Sequence, residues 1–496
     1  MSALLDQIAR APDGAVAIAG ESAVDYAELR ARAEGVAEAL GPLEGAAVTF
    51  LAPPSVEYVE LLLGVMMAGG TAVPLSPLHT PPELAHILEV AQPRHVLATE
   101  GLRDRLPEAR LHRSDLFRAR ARARARARDP RSADPSTSMK AGPDARPSSS
   151  PALMLFTSGT TGKPKGVVLS HASVAATCQS LHQAWGWRPD DRLLHVLPLH
   201  HTHGVIVALL GALWAGASVR FVAFDARRLW GELGEATLFM AVPTIYVRLM
   251  ETHRAASPEE QAAWRASAGR LRLFTSGSAA LPASLLQEFR AATGQTILER
   301  YGMTEIGMAL SNPLDGPRVP GAVGRPLPGV TVDLVGDDGR LCATGEPGEL
   351  RVRTPQLFSG YHGDPEATRR SFDAEGRFRT GDTGVCDGDG VFRLLGRTST
   401  DVLKSGGYKL SALEIEEALR EHPAIAEVAV IGLPDETWGD RVTACVVLRP
   451  EQALTLEELR AWARERLAPY KLPRELRLLP ELPWNALGKV QKGKLK

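Results

Sequence analysis

The sequence predicts an α/β protein of layered, largely parallel sheets, followed by a smaller α+β unit. Three observations carry that expectation. At 496 residues the chain is too long for one hydrophobic core. From Val24 onward, short apolar runs alternate with helix signals, as in strand–helix–strand units. Beyond Gly396 the pattern starts again with its own caps and strands. The expected division is a large domain over 1–396, a connection over 397–401 and a small domain over 402–496.

Taken in order, Asp25 and Glu28 form a capping-box pattern that opens a helix through Leu40. Ala47–Leu51 reads as a strand, and 57–68 as a helix stopped by Gly69 and Gly70. A strand at 71–74, a helix at 82–90 and a strand at His95–Ala98 repeat the pattern. Further strands are expected at 153–156, 167–169 and 193–199, with a strand-to-helix turn over 238–246 and Arg248 beginning that helix. In the small domain, Ser411 with Glu414 caps a helix that ends before Pro423, and 427–431 and 442–448 read as strands. Thr455 with Glu458 opens a last helix, whose Leu456, Leu459, Trp462, Ala463 and Leu467 form an apolar stripe for a core.

Composition excludes several classes. Lys+Arg 57 against Asp+Glu 58 leaves a net charge of -1, which argues against a nucleic-acid partner for the whole chain. Cys178, Cys342, Cys386 and Cys445 are scattered without CxxC pairing, so neither a disulfide framework nor a zinc site is expected. There is no signal-peptide pattern, and no apolar run approaches the ~20 residues that span a bilayer. A soluble, cytoplasmic chain without a membrane partner is expected. Arg118 to Arg128 alternates with alanine and gives way to Pro, Ser, Asp and Gly up to Ser150. That run repels itself and has nothing to bury, so 118–150 reads as a solvated insertion rather than an arm for an anionic surface.

The richest chemistry lies in Thr157-Ser158-Gly159-Thr160-Thr161-Gly162-Lys163-Pro164-Lys165-Gly166, between two expected strands. Glycines let backbone N–H groups close on an anion, hydroxyls add donors and lysines add charge. That is a grip for a triphosphate. It is not a Walker loop, because Pro164 stands where the second glycine should be. Pro198-Leu199-His200-His201-Thr202-His203-Gly204 invites a metal, but no acidic or cysteine partner sits nearby at ligand spacing.

The loop from Thr157 resembles the phosphate loop of the adenylate-forming enzymes, among them acyl-CoA synthetases, luciferases and peptide-synthetase adenylation domains. Further motifs of that family follow in its order over nearly the whole chain. The resemblance implies a large N-terminal domain with layered sheets and a small distorted barrel, and a small mobile C-terminal domain. It implies that Thr157, Ser158, Gly159, Thr160, Thr161, Gly162, Lys163 and Lys165 hold the β and γ phosphates of ATP. Ser276, Gly277 and Ser278 then border the adenine and the acyl group, and His201 lines the acyl pocket. Within Glu299 to Glu305, Tyr301 beside Gly302 supplies a π face for adenine and Thr304 a hydroxyl for the α-phosphate. Glu305, with Thr160, is a hard oxygen ligand for Mg²⁺. Asp382 takes the ribose hydroxyls, Arg397 also belongs to the ATP and AMP site, and the hinge that follows it has its pivot at Ser399 or Thr400. Ser405, Gly406, Gly407 and Tyr408 match the loop that meets coenzyme A. Lys489, after Gly488, matches the family's C-terminal catalytic lysine, which serves the α-phosphate and the carboxylate.

Within the family, the wording of 200–204, 239–244 and 299–312 resembles the malonyl-CoA synthetases. That implies ligation of malonate to coenzyme A through malonyl-AMP, with methylmalonate left open, using ATP and Mg²⁺, by a monomer or weak dimer. Arg300 is the expected determinant. A fixed positive charge in the acyl pocket penalises a hydrocarbon tail and rewards a second carboxylate. His201 and Ser276 are expected helpers, and Arg248 is a further candidate for the same carboxylate or a phosphate of coenzyme A. Alternatives are a synthetase for another short or medium acid, or a stand-alone adenylation protein that loads a carrier domain. As for the insertion, each doubling of loop length costs only about 0.6 kcal/mol. Replacing 118–150 by a short Gly-Ser link should leave activity and Tm nearly unchanged. A collapse of either would show that the run packs against the domain.

Overall fold

The computed structural model describes residues 2–20, 23–106, 148–157, 164–406, 408–484 and 490–496. The Arg-Ala run, Ser158 to Lys163 of the phosphate loop, Gly407 and Lys489 lie outside the described residues.

Among the described residues four sheets form. In the nine-stranded sheet, Leu298–Met303, Leu273–Ser276, Leu238–Ala241, Arg192–His195, Ser218–Phe221 and Val16–Ile18 are parallel neighbours in that order. Gly307–Ser311 and Arg325–Pro326 extend it antiparallel at one edge. In the six-stranded sheet, Pro151–Thr157, Thr71–Leu75, Ala47–Leu51 and His95–Ala98 run parallel. Lys165–Ser170 pairs antiparallel with Pro151–Thr157, so the two strands deliver both ends of the phosphate loop.

Side chains alternate between the faces of a strand, and here both faces are buried. Leu153, Leu155, Val48 and Phe50 enter the same core as Leu238, Met240 and Leu273 of the larger sheet. Phe239, Ala241 and Phe274 point the other way, onto the helices Pro243–Arg254, Pro258–Ala268 and Ala283–Thr293. Met154, Ala47 and Leu51 pack outward with Leu84 and Ile87 of the helix Pro81–Ala91. The result is helix, sheet, core, sheet, helix. Among the described residues no helix is long and apolar enough to cross a membrane.

Local caps follow the sequence closely. Asp25 accepts from the Glu28 N–H, and Ser411 from the Glu414 N–H. Two expectations change. The strand expected over 193–199 stops at His195. Pro198 has no N–H for a ladder, and the chain folds back until the Gly204 carbonyl lies 2.9 Å from His195 Nε2. The helix expected to begin at Arg248 begins at Pro243, whose fixed φ suits a first turn.

Thr331–Val335, Gly348–Arg353, Phe378–Cys386 and Phe392–Arg397 form an antiparallel four-stranded sheet. It ends at the connection over 397–401. Beyond that, Val402–Ser405, Tyr408–Ser411, Ile425–Asp435, Gly439–Leu448 and Glu475–Leu478 form the last sheet. One of its faces packs on Ile415, Leu419, Leu459 and Ala463, and the other on Leu482 with Val490 and Leu495.

The two units meet beside Leu298–Met303. Glu417, on the helix Ala412–Arg420, accepts from the Ala283 N–H at 2.6 Å. Buried Glu299 accepts from the Leu281 N–H at 3.2 Å. Burial, reinforced by the Glu417 charge, pushes the Glu299 carboxyl up from 4.5 to about 8. Between those values the native chain keeps a proton that the unfolded chain has released, so stability falls as pH rises. Glu299→Gln, which keeps the acceptor for Leu281, should flatten the fall of Tm across that window. A slope as steep as the parent's would assign the dependence elsewhere.

Candidate active site

Among the described residues, Tyr301, Thr304, Glu305, Asp382 and Arg397 gather around the end of the strand Leu298–Met303. Tyr301 is buried, and its hydroxyl donates to Asp382 Oδ2 at 2.6 Å. The other Asp382 oxygen pairs with Arg397 Nε at 3.1 Å, and Arg397 also donates to the Thr380 carbonyl at 2.8 Å. Asp382 therefore already serves two protein donors, one on each oxygen.

Glu305 is 5% exposed, and its Oε1 accepts from the Tyr361 hydroxyl at 3.0 Å. Burial holds its carboxyl above the usual range. A divalent cation suits such a group, because it supplies the charge that burial withholds. Tyr361 stands on Gly360–Tyr361, paired with Lys165–Ser170. The Lys165 ammonium lies 4.9 Å from the centre of the Tyr361 ring and 3.7 Å from Asp364. Thr304 Oγ1 accepts from Thr202 Oγ1 at 3.0 Å, which joins the histidine-rich turn to the phosphate side of the site.

On the acyl side, Arg300 is 3% exposed. It does not pair with Glu299, since neighbouring strand residues face opposite ways. Its guanidinium lies instead over Gly277, where a Cβ would come within 2.6 Å of Nε. Among the described residues Nε and Nη2 have no hydrogen-bond partner, and neither has the Ser276 hydroxyl, whose strand position pairs with Glu299. Burial lowers the Arg300 pKa to about 10, which still leaves it charged at neutral pH. His203 is buried too, and burial with the Arg300 charge pushes it well below the usual histidine range. It stays neutral. Ser278 closes the turn at φ 70, a left-handed conformation that few residues with a side chain adopt. The hairpin of Gly302 needs glycine for a different reason: a Cβ there would collide with the Gly307 carbonyl.

The three histidines separate. His200 packs against His201 at 4.0 Å and against His79 at 5.2 Å, while His203 turns toward Arg300. Arg248 is exposed, with its guanidinium 5.7 Å from the Phe224 ring, and no contact joins it to Arg300 or Ser276. Ser405, Gly406 and Tyr408 stay on the small unit. The Gly406 N–H donates to the Trp438 carbonyl at 2.9 Å, and exposed Tyr408 stacks on Tyr470 at 4.3 Å. Thr202, His203 and Tyr361 were not among the residues expected from sequence. Thr202 and Tyr361 meet partners 102 and 56 residues away, and no local pattern marks such a meeting.

A family model described as AMP-binding enzyme matches residues 4–362, and one for the AMP-binding enzyme C-terminal domain matches 414–489. The chain belongs to the AMP-binding enzyme family. It is 42% identical over 481 residues to a mitochondrial malonate–CoA ligase of Xenopus laevis, covering 90% of this chain and 82% of that one. The crystal structure of ATP-bound MatB from Rhodopseudomonas palustris superposes with a TM-score of 0.87 at 35% identity, over 100% of this chain and 98% of that one. A malonyl-CoA ligase ternary product complex with methylmalonyl-CoA and AMP superposes at 0.69 with 40% identity, over 96% and 99%. As in the family's adenylate-forming fold, a large N-terminal domain precedes a small C-terminal one.

The fit of Arg300 to Gly277 can be tested without any substrate. Overpacking a filled core typically costs about 1–3 kcal/mol. Gly277→Ala should lose stability of that order in denaturant titrations, because a buried guanidinium cannot retreat into water. No loss would mean that Arg300 moves freely.

Proposed function

We propose that the protein ligates malonate to coenzyme A through malonyl-AMP, consuming ATP and releasing AMP and pyrophosphate. The observation that carries this reading is the buried Arg300, whose Nε and Nη2 have no partner among the described residues. Buried donors without partners are costly, and a ligand that completes them recovers that cost. A carboxylate at the far end of a short acid does so with a bidentate pair, whereas a methyl group leaves the charge stranded. The names carried by the relatives support the same acid.

A carboxylate is a poor electrophile. Its attack on the α-phosphate of ATP replaces a poor leaving group with AMP, and this needs positioning and charge neutralisation rather than covalent help. Tyr301 and Asp382 would set the adenosine, and Thr304 and Lys489 the α-phosphate with the attacking carboxylate. The phosphate loop with Lys165 would take the β and γ phosphates. Glu305 and Thr160 would hold Mg²⁺, which supplies charge neutralisation when bound. The thiol of coenzyme A then attacks the acyl-AMP. Rotation of the small unit between the two half-reactions would withdraw Lys489 and present the loop of Gly406 to coenzyme A. Gating of that kind keeps water from the mixed anhydride.

The test is an assay with ATP, Mg²⁺ and coenzyme A against malonate, methylmalonate, oxalate, propionate and butyrate. Malonate should give AMP and the thioester, and ADP in place of AMP would sink the adenylation mechanism. Charged hydrogen bonds are typically worth ~1.5–3 kcal/mol, so Arg300→Ala should cut malonate kcat/KM at least ~10-fold. It should leave the KM for ATP nearly unchanged and relatively favour propionate and butyrate. Malonate efficiency within about twofold of the parent would remove the physical basis for this acid.

A further inference from the structure

The turn between the two units is tied from both sides. Thr398 belongs to the large unit: its N–H donates to the Gly381 carbonyl at 2.9 Å, and its hydroxyl lies 2.8 Å from that of Thr383. Asp401 belongs to the small unit. Its carbonyl accepts from the Ala412 N–H at 2.8 Å, at the start of the helix Ala412–Arg420. Its side chain reaches back across the turn, where Oδ2 accepts from the Arg397 N–H at 3.0 Å. Ser399 and Thr400 lie between these ties.

The other Asp401 oxygen receives the Lys492 ammonium at 2.7 Å, and the same ammonium lies 2.7 Å from Glu416 Oε1. Glu416 in turn accepts from the Val430 N–H at 2.7 Å. The Lys492 side chain is 10% exposed, and those of Asp401 and Glu416 are 15% and 8%. A cation so enclosed between two carboxylates is not a surface accident, because each group alone would be costly to bury. Burial pushes the Glu416 carboxyl up and the nearby ammonium pulls it down, so the three charges depend on one another. Asp401 meets the site only through the Arg397 N–H, and none of the three is itself one of the nucleotide or acyl residues described above.

Lys492 stands on the C-terminal segment, which is pinned to its own sheet. Trp484 and Val490 form a bridge, the Gln491 N–H donates to the Pro483 carbonyl at 2.7 Å, and Arg477 donates to the Leu495 carbonyl at 3.2 Å. In sequence, Lys489 shortly precedes Lys492 on this segment.

We propose that Lys492 is a positioning residue for acyl-adenylate formation: by bridging Asp401 to Glu416, it makes the hinge, the helix and the C-terminal segment turn as one body. Rotation about Ser399 and Thr400 then sets where Lys489 arrives. Thioester formation, in which Lys489 is withdrawn, does not need that precision. The proposal rests on the two-step reading above, and its test is arranged to fail separately from it.

Lys492→Met keeps most of the length of the side chain and removes the charge. Adenylation, followed by malonate-dependent pyrophosphate exchange, should fall at least about tenfold. Thioester formation from supplied malonyl-AMP and coenzyme A should stay within about threefold. Amide hydrogen exchange should accelerate over 397–401 and 490–495 together, and Lys492→Arg should restore both readouts in large part. Equal loss of the two half-reactions, or faster exchange in the C-terminal segment with an unchanged hinge, would overturn the proposal. Should Lys492→Met fail to fold, Glu416→Gln weakens the same bridge, keeps the acceptor for Val430 and is read by the same criteria. Lys489→Ala, run in parallel, separates the failures. If it leaves adenylation intact, the role of Lys489 falls, and joint or separate loosening of hinge and segment still decides that of Lys492.

Discussion

The carboxylate of Asp382 is where the halves of the site are joined. One oxygen holds the hydroxyl of Tyr301 from the nine-stranded sheet, and the other holds Arg397 at the edge of the four-stranded sheet. The Arg397 N–H then reaches Asp401 across the turn, and Asp401 reaches Lys492. A single polar line thus runs from the base of the nucleotide site to the C-terminal segment. Buried ion pairs contribute little net stability, because desolvation offsets their attraction. What such a line contributes here is geometry: the surroundings of Tyr301 and the small unit share partners.

The acyl side follows a different rule. Arg300 is flanked by groups that cannot neutralise it: a glycine beneath it and a histidine held neutral by burial. The protein carries an unsatisfied cation in its interior, held there by the packed core on either side. Glycine at 277 is what allows the guanidinium to lie flat on the turn. Under the proposed function, selectivity among acids would come from the penalty of leaving this charge alone, which discriminates more sharply than an apolar pocket can.

Much of this was legible in the chain. The capping residues Asp25, Ser411 and Thr455 sit where their patterns place them, because a cap is a local contest among a few hydrogen bonds. Strands such as Ala47–Leu51 and His95–Ala98 are short apolar runs between turn residues, and their bounds follow from that pattern. Where a long-range contact intervened, the local reading slipped. The strand ending at His195 is cut short by the return of Gly204, and Pro243 starts a helix five residues before Arg248 because it is the end of a parallel strand that launches it.

The sequence alone determined the class of fold, the order of the motifs and the kind of chemistry, since periodicity, glycine and proline placement, and residue type are properties of short stretches. It also singled out Arg300, through the resemblance of 299–305 to a family motif in which the position before Tyr301 borders the acyl group. Only the tertiary structure decided which polar atoms meet. That Tyr361 steadies Glu305, that Thr202 meets Thr304, that Arg248 faces outward and that Lys492 closes on the hinge depend on strand order and on which face each side chain leaves. Those are fixed by burying both sides of two sheets at once. No window of neighbouring residues contains that information.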